Sequence, residues 1–387
     1  MNLIHDFDEA VDRRGTDSKK YSVYPEDVIP MWIADSDFKA PQPVVDALTA
    51  RVKQGVYGYT PVSSRLRSAA AQWQEKRFGW KVDMEAVEYV PGVISGVISA
   101  VRAFSHPGDN IVIQTPCYPP FTDLSEHNGR HLLRNELVLK DGRYEIDFED
   151  FEEKLKDPRT KLFILCNPQN PTGRVFTREE LVHLGELCLK HHVIVLADEI
   201  HGDLAYKGYK HIPFGSISKE FEQNSVSFMN PSKTFNLPGF RTAAFIAANP
   251  VLKNAVHDIV VNNKAIGENI CGTVAFCTAY EDCGYYADQL IEYLEKNRDL
   301  VERTLKDVDE IDCIHAEGTY LLWLDCRKMN MDQKELDKFF AEKVKLGLNS
   351  GESFGAEGSG FVRMNIACPR ATVEEALNRI TEAVKAL

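Results

Sequence analysis

The stretch "SVSFMNPSKTFNLPGFR" (Ser225 to Arg241) joins a short apolar run to a polar turn that carries Lys233 between two hydroxyl residues, with Arg241 eight positions further on. A lone lysine in such a place is ordinarily a solvated surface charge. The same grammar recurs along the chain, however, in "NIVIQT" (110–115), "KLFILCN" (161–167), "HVIVLADE" (192–199) and "TAAFIAA" (242–248), separated for the most part by longer helical or loop segments. Short β-branched runs alternating with helices predict an α/β domain whose largely parallel sheet is covered on both faces.

Ligands of an open parallel sheet bind beyond the carboxyl ends of its strands, so the residues just after each run carry the function. Here those residues are polar: "NPQNPTGRVF" after the 161–166 run, "DEIHGDLAY" after 193–197, "NPSKTFN" after 226–229, and "PGVISGVISAV" after "VEYV" (87–90). In the last of these, Gly92 ahead of a helix aims the free N–H groups of Val93 and Ile94 at an anion such as phosphate. Asp198 reads either as a helix cap or as a carboxylate held for a cationic ring nitrogen. His201 alone reads as a half-buried structural histidine. Taken together, a strand-end amine, an anion site with Ser232 and Arg241, and the Asp198 carboxylate are what a pyridoxal phosphate site requires.

With 387 residues the chain exceeds the usual size of one core, which predicts two domains. Its character changes near residue 285, where a long charged amphipathic helix ("YADQLIEYLEKNRDLVERTLKD") leads into strand, helix, strand and helix. We therefore expect a large domain over 46–285 and a smaller α+β domain built from 286–387, with 1–45 packed onto it. Capping boxes at Thr177/Glu180, Asp332/Glu335 and Thr372/Glu375 predict three helix starts.

Lysine plus arginine number 45 against 58 acidic residues, a formal charge of −13, and no basic block stands out. Nucleic acid and anionic membranes are poor partners for such a surface. The nine cysteines are scattered without metal-ligand spacing and read as buried free thiols, so no metal is expected. The N-terminus lacks the apolar stretch of a signal peptide, and a cytoplasmic protein is expected.

"NPQNPTG", "ADEIH", "PSKTFN" and the arginine at position 241 resemble, in order and spacing, the fold-type-I pyridoxal phosphate enzymes of the aspartate aminotransferase superfamily. "PMWIADSDF" (30–38), "VYGYT" (56–60), "PCYPPF" (116–121) and "GESFGAEGSGFVRMNIACPR" (351–370) are similar to its cystathionine β-lyase, or carbon–sulfur lyase, branch. The resemblance covers essentially the whole chain. It implies that Lys233 bonds the cofactor aldehyde and later acts as base on the substrate Cα. Asp198 would pair with the pyridine nitrogen, Asn170 would reach the ring oxygen, and Tyr118 would stack on the ring.

The phosphate would be held by Ser232, Arg241 and the backbone of Gly92, Val93 and Ile94, with Tyr59 entering from a second subunit of a homodimer. Arg363 would grip the substrate carboxylate as a planar fork, assisted by the backbone at Ala34. Two departures matter. Where many aminotransferases place a tyrosine after the ring-nitrogen aspartate this chain has His201, which leans toward the lyase branch, and "VYGYTPV" lacks the glycine that usually follows the tyrosine motif.

The resemblance thus implies a sulfur amino acid as substrate, α,β-elimination to a thiol, pyruvate and ammonia as the reaction, and transamination as the alternative. A cofactor-binding regulator without turnover is the remote one. A serine hydrolase is suggested literally by "GESFG" (351–355), but no histidine follows it and the context reads as loop then strand.

Overall fold

The computed structural model describes residues 4–61, 63–265 and 267–387. Its large sheet contains β1 (Val87–Val90), β2 (Asn110–Thr115), β3 (His131–Glu136), β4 (Thr160–Cys166), β5 (Ile194–Asp198), β6 (Ser225–Met229) and β7 (Ala243–Ile246). Their order across the sheet is β1-β7-β6-β5-β4-β2-β3, and β7 alone runs against the others.

Continuous apolar runs form these strands because both faces are covered. Along β4, Leu162, Ile164 and Cys166 join one buried cluster while Phe163 and Leu165 join another; along β5, Leu196 faces the first and Val195 and Ala197 face the second. That is the period-two alternation of an extended chain with helices on each side. Each Leu, Ile, Val or Phe among them contributes roughly 1.5–3 kcal/mol on full burial.

Helices cover both faces of this sheet. The helices of this part of the chain include α1 (Gln42–Lys53), α2 (Ser64–Phe78), α3 (Val93–Phe104), α4 (Pro119–His127) and α5 (Arg178–Lys190). Ser63 caps α2 by accepting the Leu66 N–H at 3.1 Å, and α2 stops at Gly79 with φ 73°. The Thr177/Glu180 capping box opens α5 as expected. Helix α3 lies directly on the sheet, close enough that a Cβ on Gly96 would stand 2.8 Å from the Phe228 ring. Beyond β6 come the one-turn α6 (Ser232–Phe235), then α7 (Pro250–Asn262) packed on α3, and α8 (Ile270–Asp282) packed on α1 and α2.

Helix α9 (Gly284–Leu305) leads into a four-stranded antiparallel sheet of β8 (Asp312–Cys313), β9 (Leu321–Asp325), β10 (Asn349–Ser350) and β11 (Phe361–Asn365), in the order β8-β9-β11-β10. Helix α10 (Gln333–Lys338) starts on its Asp332/Glu335 capping box, and α11 (Arg370–Lys385) closes the chain. The third expected box is not formed. Helix α11 begins two residues earlier than Thr372, behind Pro369, and the Tyr293 hydroxyl takes the Arg370 N–H at 2.6 Å, so Thr372 lies inside the first turn.

The N-terminal segment is tied to the small sheet's side of the molecule: Ile29–Pro30 pairs in parallel with Leu346–Gly347. From there residues 31–38 cross toward the carboxyl ends of β5 and β6, held by Asn365 at one end and Asn236 at the other. Among the described residues no helix is long and apolar enough to cross a membrane.

Candidate active site

The strand ends converge on a cavity of about 400 Å³ lined by residues that include Gly92, Tyr118, Asn170, Asp198, His201 and Lys233. Each arrives by a local feature of its own. Asp198 is the last residue of β5 and is buried, with one carboxylate oxygen accepting the Ile200 N–H at 3.1 Å. Burial pushes its carboxyl up to about 6, opposed by that N–H and by the Lys233 charge.

Lys233 sits in α6, one turn beyond β6. The turn is fixed by Asn230, whose Oδ1 accepts the Ser232 N–H at 2.8 Å, and ends at Asn236 in the left-handed region with φ 56°. From behind, Thr234 donates to Asp203 Oδ2 at 3.0 Å while Trp73 Nε1 donates to Asp203 Oδ1 at 3.1 Å. The Lys233 Nζ, open to the cavity but enclosed by protein, donates to the Ala34 carbonyl at 2.6 Å. Enclosure, followed by the Arg363 charge, lowers its pKa to about 8, with Asp35 and Asp198 pulling the other way.

Also on the cavity wall, Gly92 occupies φ 101°, a backbone position favourable to glycine, and opens α3. The first N–H groups of that helix, at Val93, Ile94 and Ser95, have no preceding carbonyl to pair with and line the cavity. Ser232 and Arg241 line the same cavity, Arg241 following the Pro238–Phe240 turn with φ 46°. Amide donors, a hydroxyl and a guanidinium at a helix N-terminus form an anion cradle.

Arg363 stands on β11 with its guanidinium buried. Nη1 donates to Asn170 Oδ1 at 2.8 Å, Nη2 donates to the Trp32 carbonyl at 2.9 Å, and the Phe354 ring lies 4.8 Å beneath. Its buried Nε has no partner among the described residues. Burial lowers the guanidinium to about 10, still charged at neutral pH. His201 lies against Tyr320, edge to face at 6.1 Å, with its buried Nδ1 unpartnered among the described residues; burial and the two nearby cations hold its pKa well below 6.5, so the ring is neutral. Tyr118 immediately precedes α4, and burial followed by the Asp198 charge raises its hydroxyl.

A sequence model of the class I and II aminotransferases matches residues 27–380. The chain belongs to that family. Among family members, the cystathionine β-lyase PatB of Bacillus subtilis is 41% identical over 98% of this chain and 99% of its own. Cystalysin of Treponema denticola, whose crystal structure contains pyridoxal 5'-phosphate, superposes with a TM-score of 0.96 at 32% identity, covering 99% of this chain and 100% of its own. A pyridoxal phosphate-bound C–S lyase of Staphylococcus hominis superposes at 0.92 with 31% identity, over 99% and 98% of the two chains. The mixed, mostly parallel seven-stranded sheet is the aspartate aminotransferase-like fold type I expected from the strand-end motifs.

The site fits the family cofactor on its own chemistry. An amine, an anion cradle and a buried carboxylate surround one cavity whose wall also carries the orphaned His201 Nδ1. Of the residues singled out in the sequence, Ala34, Gly92, Val93, Ile94, Tyr118, Asn170, Asp198, His201, Ser232, Lys233 and Arg241 meet in this cavity, and Arg363 reaches it through Asn170. Tyr59 does not; it is fully exposed.

Sequence reasoning missed Asn230, Ser95, Asn349 and Tyr320. Asn349 Oδ1 lies 3.4 Å from Arg363 Nη2, and the Tyr320 hydroxyl shares the Ala34 carbonyl with Lys233 at 3.1 Å. Asn230 and Ser95 were visible beside the motifs. Nothing local distinguishes Tyr320 or Asn349. The "GESFG" serine, Ser353, is exposed in a 3-10 turn and donates to the Ser350 carbonyl, without the strand–turn–helix setting of a nucleophile elbow.

Proposed function

We propose that this chain is a pyridoxal phosphate-dependent carbon–sulfur β-lyase that acts on L-cystathionine or related cysteine S-conjugates and releases a thiol, pyruvate and ammonia. The observation that carries the reading is an enclosed amine and a buried guanidinium tied to one short segment, at Ala34 and Trp32, beside a cavity lined by Asp198, Asn170 and the first residues of α3. Whole-length identity of 41% to a cystathionine β-lyase supports the choice of reaction.

When bound, pyridoxal phosphate supplies an electron sink that stabilises negative charge at the amino acid Cα, which lets the Cβ–S bond break. The residues of the chain do the rest. Gly92, Val93, Ile94, Ser232 and Arg241 would hold the phosphate, Asp198 the ring nitrogen, Asn170 the ring oxygen, and Tyr118 one face of the ring. Arg363 binds the substrate carboxylate, with Asn170 fixing the plane of its fork. Lys233, with its basicity lowered to about 8, takes the Cα proton at Nζ near neutral pH. His201 remains neutral and adds no third cation beside that amine.

The cleft lies between a large domain, residues 46–285, and a small one formed by 1–45 and 286–387. We assign the exposed Tyr59 to the phosphate of a second copy in a homodimer. Its neighbours Val52, Val56 and Tyr57 are also exposed, which suits a surface covered on assembly.

The test is to supply purified protein with L-cystathionine and no keto acid. Sustained release of pyruvate and thiol supports the lyase, whereas turnover only after a keto acid is added assigns the chain to transamination. Lys233→Ala is the control, and a borohydride-fixed pyridoxyl group absent from residue 233 of the wild type refutes the site.

A further inference from the structure

Residues 31–38 run between the two sheets as a single backbone strap, and every carbonyl from residue 31 to residue 36 is claimed. The carbonyls of Trp32 and Ala34 face the site and accept from Arg363 Nη2 and Lys233 Nζ. Those of Ile33 and Asp35 point the other way, where Asn365 Nδ2 donates to both at 2.7 Å. Asn365 also takes the Met31 carbonyl through its own N–H at 2.8 Å. Past that point Asn236 takes over: its Nδ2 donates to the Ser36 and Phe38 carbonyls at 2.9 and 2.8 Å, and its Oδ1 accepts the Ser36 N–H at 3.2 Å.

These two asparagines occupy telling places. Asn236 is three residues after Lys233 and Asn365 two after Arg363. One strap is thus gripped from the element that carries the amine and from the strand that carries the guanidinium, and it returns one carbonyl to each.

The strap's outer face is fixed independently. Arg13 spans both carboxylates, with Nη2 on Asp35 at 2.8 Å and Nη1 on Asp37 at 2.8 Å, and the buried Lys20 holds Asp37 at 2.7 Å. Four charges of balanced sign leave the segment no cheap alternative register.

We propose that Asn236 and Asn365 are positioning residues for the reaction, which set the spacing of Lys233 and Arg363 by gripping the same strap from opposite sides of the cleft. Neither touches the cavity. An asparagine amide is suited to the task because one NH₂ can serve two carbonyls while its oxygen takes an N–H, which neither serine nor aspartate can do in full. This inference rests on the proposed roles of Lys233 and Arg363.

The experiment compares Asn236→Gly, Asn365→Ala and the double variant as cofactor-loaded proteins. Glycine is chosen at 236 because the backbone there is left-handed, so the amide is removed without strain. Asn365→Ser, which keeps one donor, serves if Asn365→Ala does not fold. For Asn365→Ala we expect KM for the amino acid to rise at least tenfold with kcat changed less. For Asn236→Gly we expect kcat to fall at least tenfold, and the pH at which the bound cofactor's absorbance titrates, with no substrate present, to move by half a unit or more.

Because one strap carries both effects, the double variant should lose far less in kcat/KM than the product of the single losses. Multiplicative losses, or an absorbance titration in Asn236→Gly identical to the wild type, overturn the proposal. The absorbance titration needs no turnover, so it decides this inference even if cystathionine is not the substrate; a wild type that releases no pyruvate refutes the lyase reading alone.

Discussion

Replacing Arg363 by lysine keeps a positive charge beside the cavity and removes the fork. The guanidinium now spends one N–H of Nη1 on Asn170 and one of Nη2 on Trp32, and both partners fix the plane in which its remaining N–H groups point. A carboxylate bound by two parallel charge-assisted bonds becomes, with an ammonium, one bound at a point. Losing one hydrogen bond to a charged group costs about 1.5–3 kcal/mol. At 1.4 kcal/mol per decade, that is a rise of roughly 10- to 150-fold in KM.

Since the carboxylate is held equally before and during bond cleavage, kcat should change much less than KM. Steady-state pyruvate release over a range of L-cystathionine concentrations measures both. Arg363→Ala should be worse, because Asn170 Oδ1 and the Trp32 carbonyl lose a buried donor as well. An unchanged KM in Arg363→Lys, or a loss confined to kcat, refutes the assignment of Arg363 to the carboxylate.

The Lys233 amine, lowered to about 8 from 10.5, is protonated below that pH and free above it. The rate at which cofactor-free protein takes up pyridoxal phosphate, followed by absorbance, should therefore climb about tenfold per pH unit below pH 8 and level off above it; a plateau beginning only near pH 10.5 contradicts the enclosed lysine. Gly96→Ala drives a Cβ to 2.8 Å from Phe228 and 3.1 Å from Val90, and urea unfolding should show about 1–3 kcal/mol of lost stability. Glu317 is buried and accepts from Arg174 Nε at 3.0 Å, the Val175 N–H at 2.8 Å and Arg143 Nε at 2.8 Å. Glu317→Ala leaves the buried Arg174 short of a partner and should cost about 3 kcal/mol; a urea midpoint equal to the wild type's would show that the cluster is stabilised elsewhere.

The parts of the fold that were legible in the sequence are those where local physics has one solution. A strand buried on both faces must be continuously apolar, so β4, β5 and β6 announce themselves, and their polar successors fall on the binding edge of the sheet. Two capping boxes were readable because Ser, Thr or Asp at the cap and Glu three residues later satisfy each other without outside help. The third failed because the N-terminus of α11 is settled by a tertiary partner, Tyr293, that no local pattern discloses.

The same division holds at the site. Lys233, Asp198 and Asn170 sit in motifs whose turn chemistry is written nearby. Tyr320 acts through a residue far away in the chain, as does Asn365 in gripping Ile33 and Asp35, and Asn349 meets Arg363 on a neighbouring strand; side chains of that kind carry no signature until the fold brings their partners to them.

All nine cysteines are free, and seven of them are buried. Enclosure in apolar surroundings raises Cys117, Cys277, Cys283 and Cys368 to about 12, far from the anionic form that attacks a disulfide. A catalyst that liberates sulfhydryl compounds works in the steady presence of its own reactive product and of whatever that product oxidises to. Seven buried thiols, four of them held at about 12, leave such molecules little sulfur within reach.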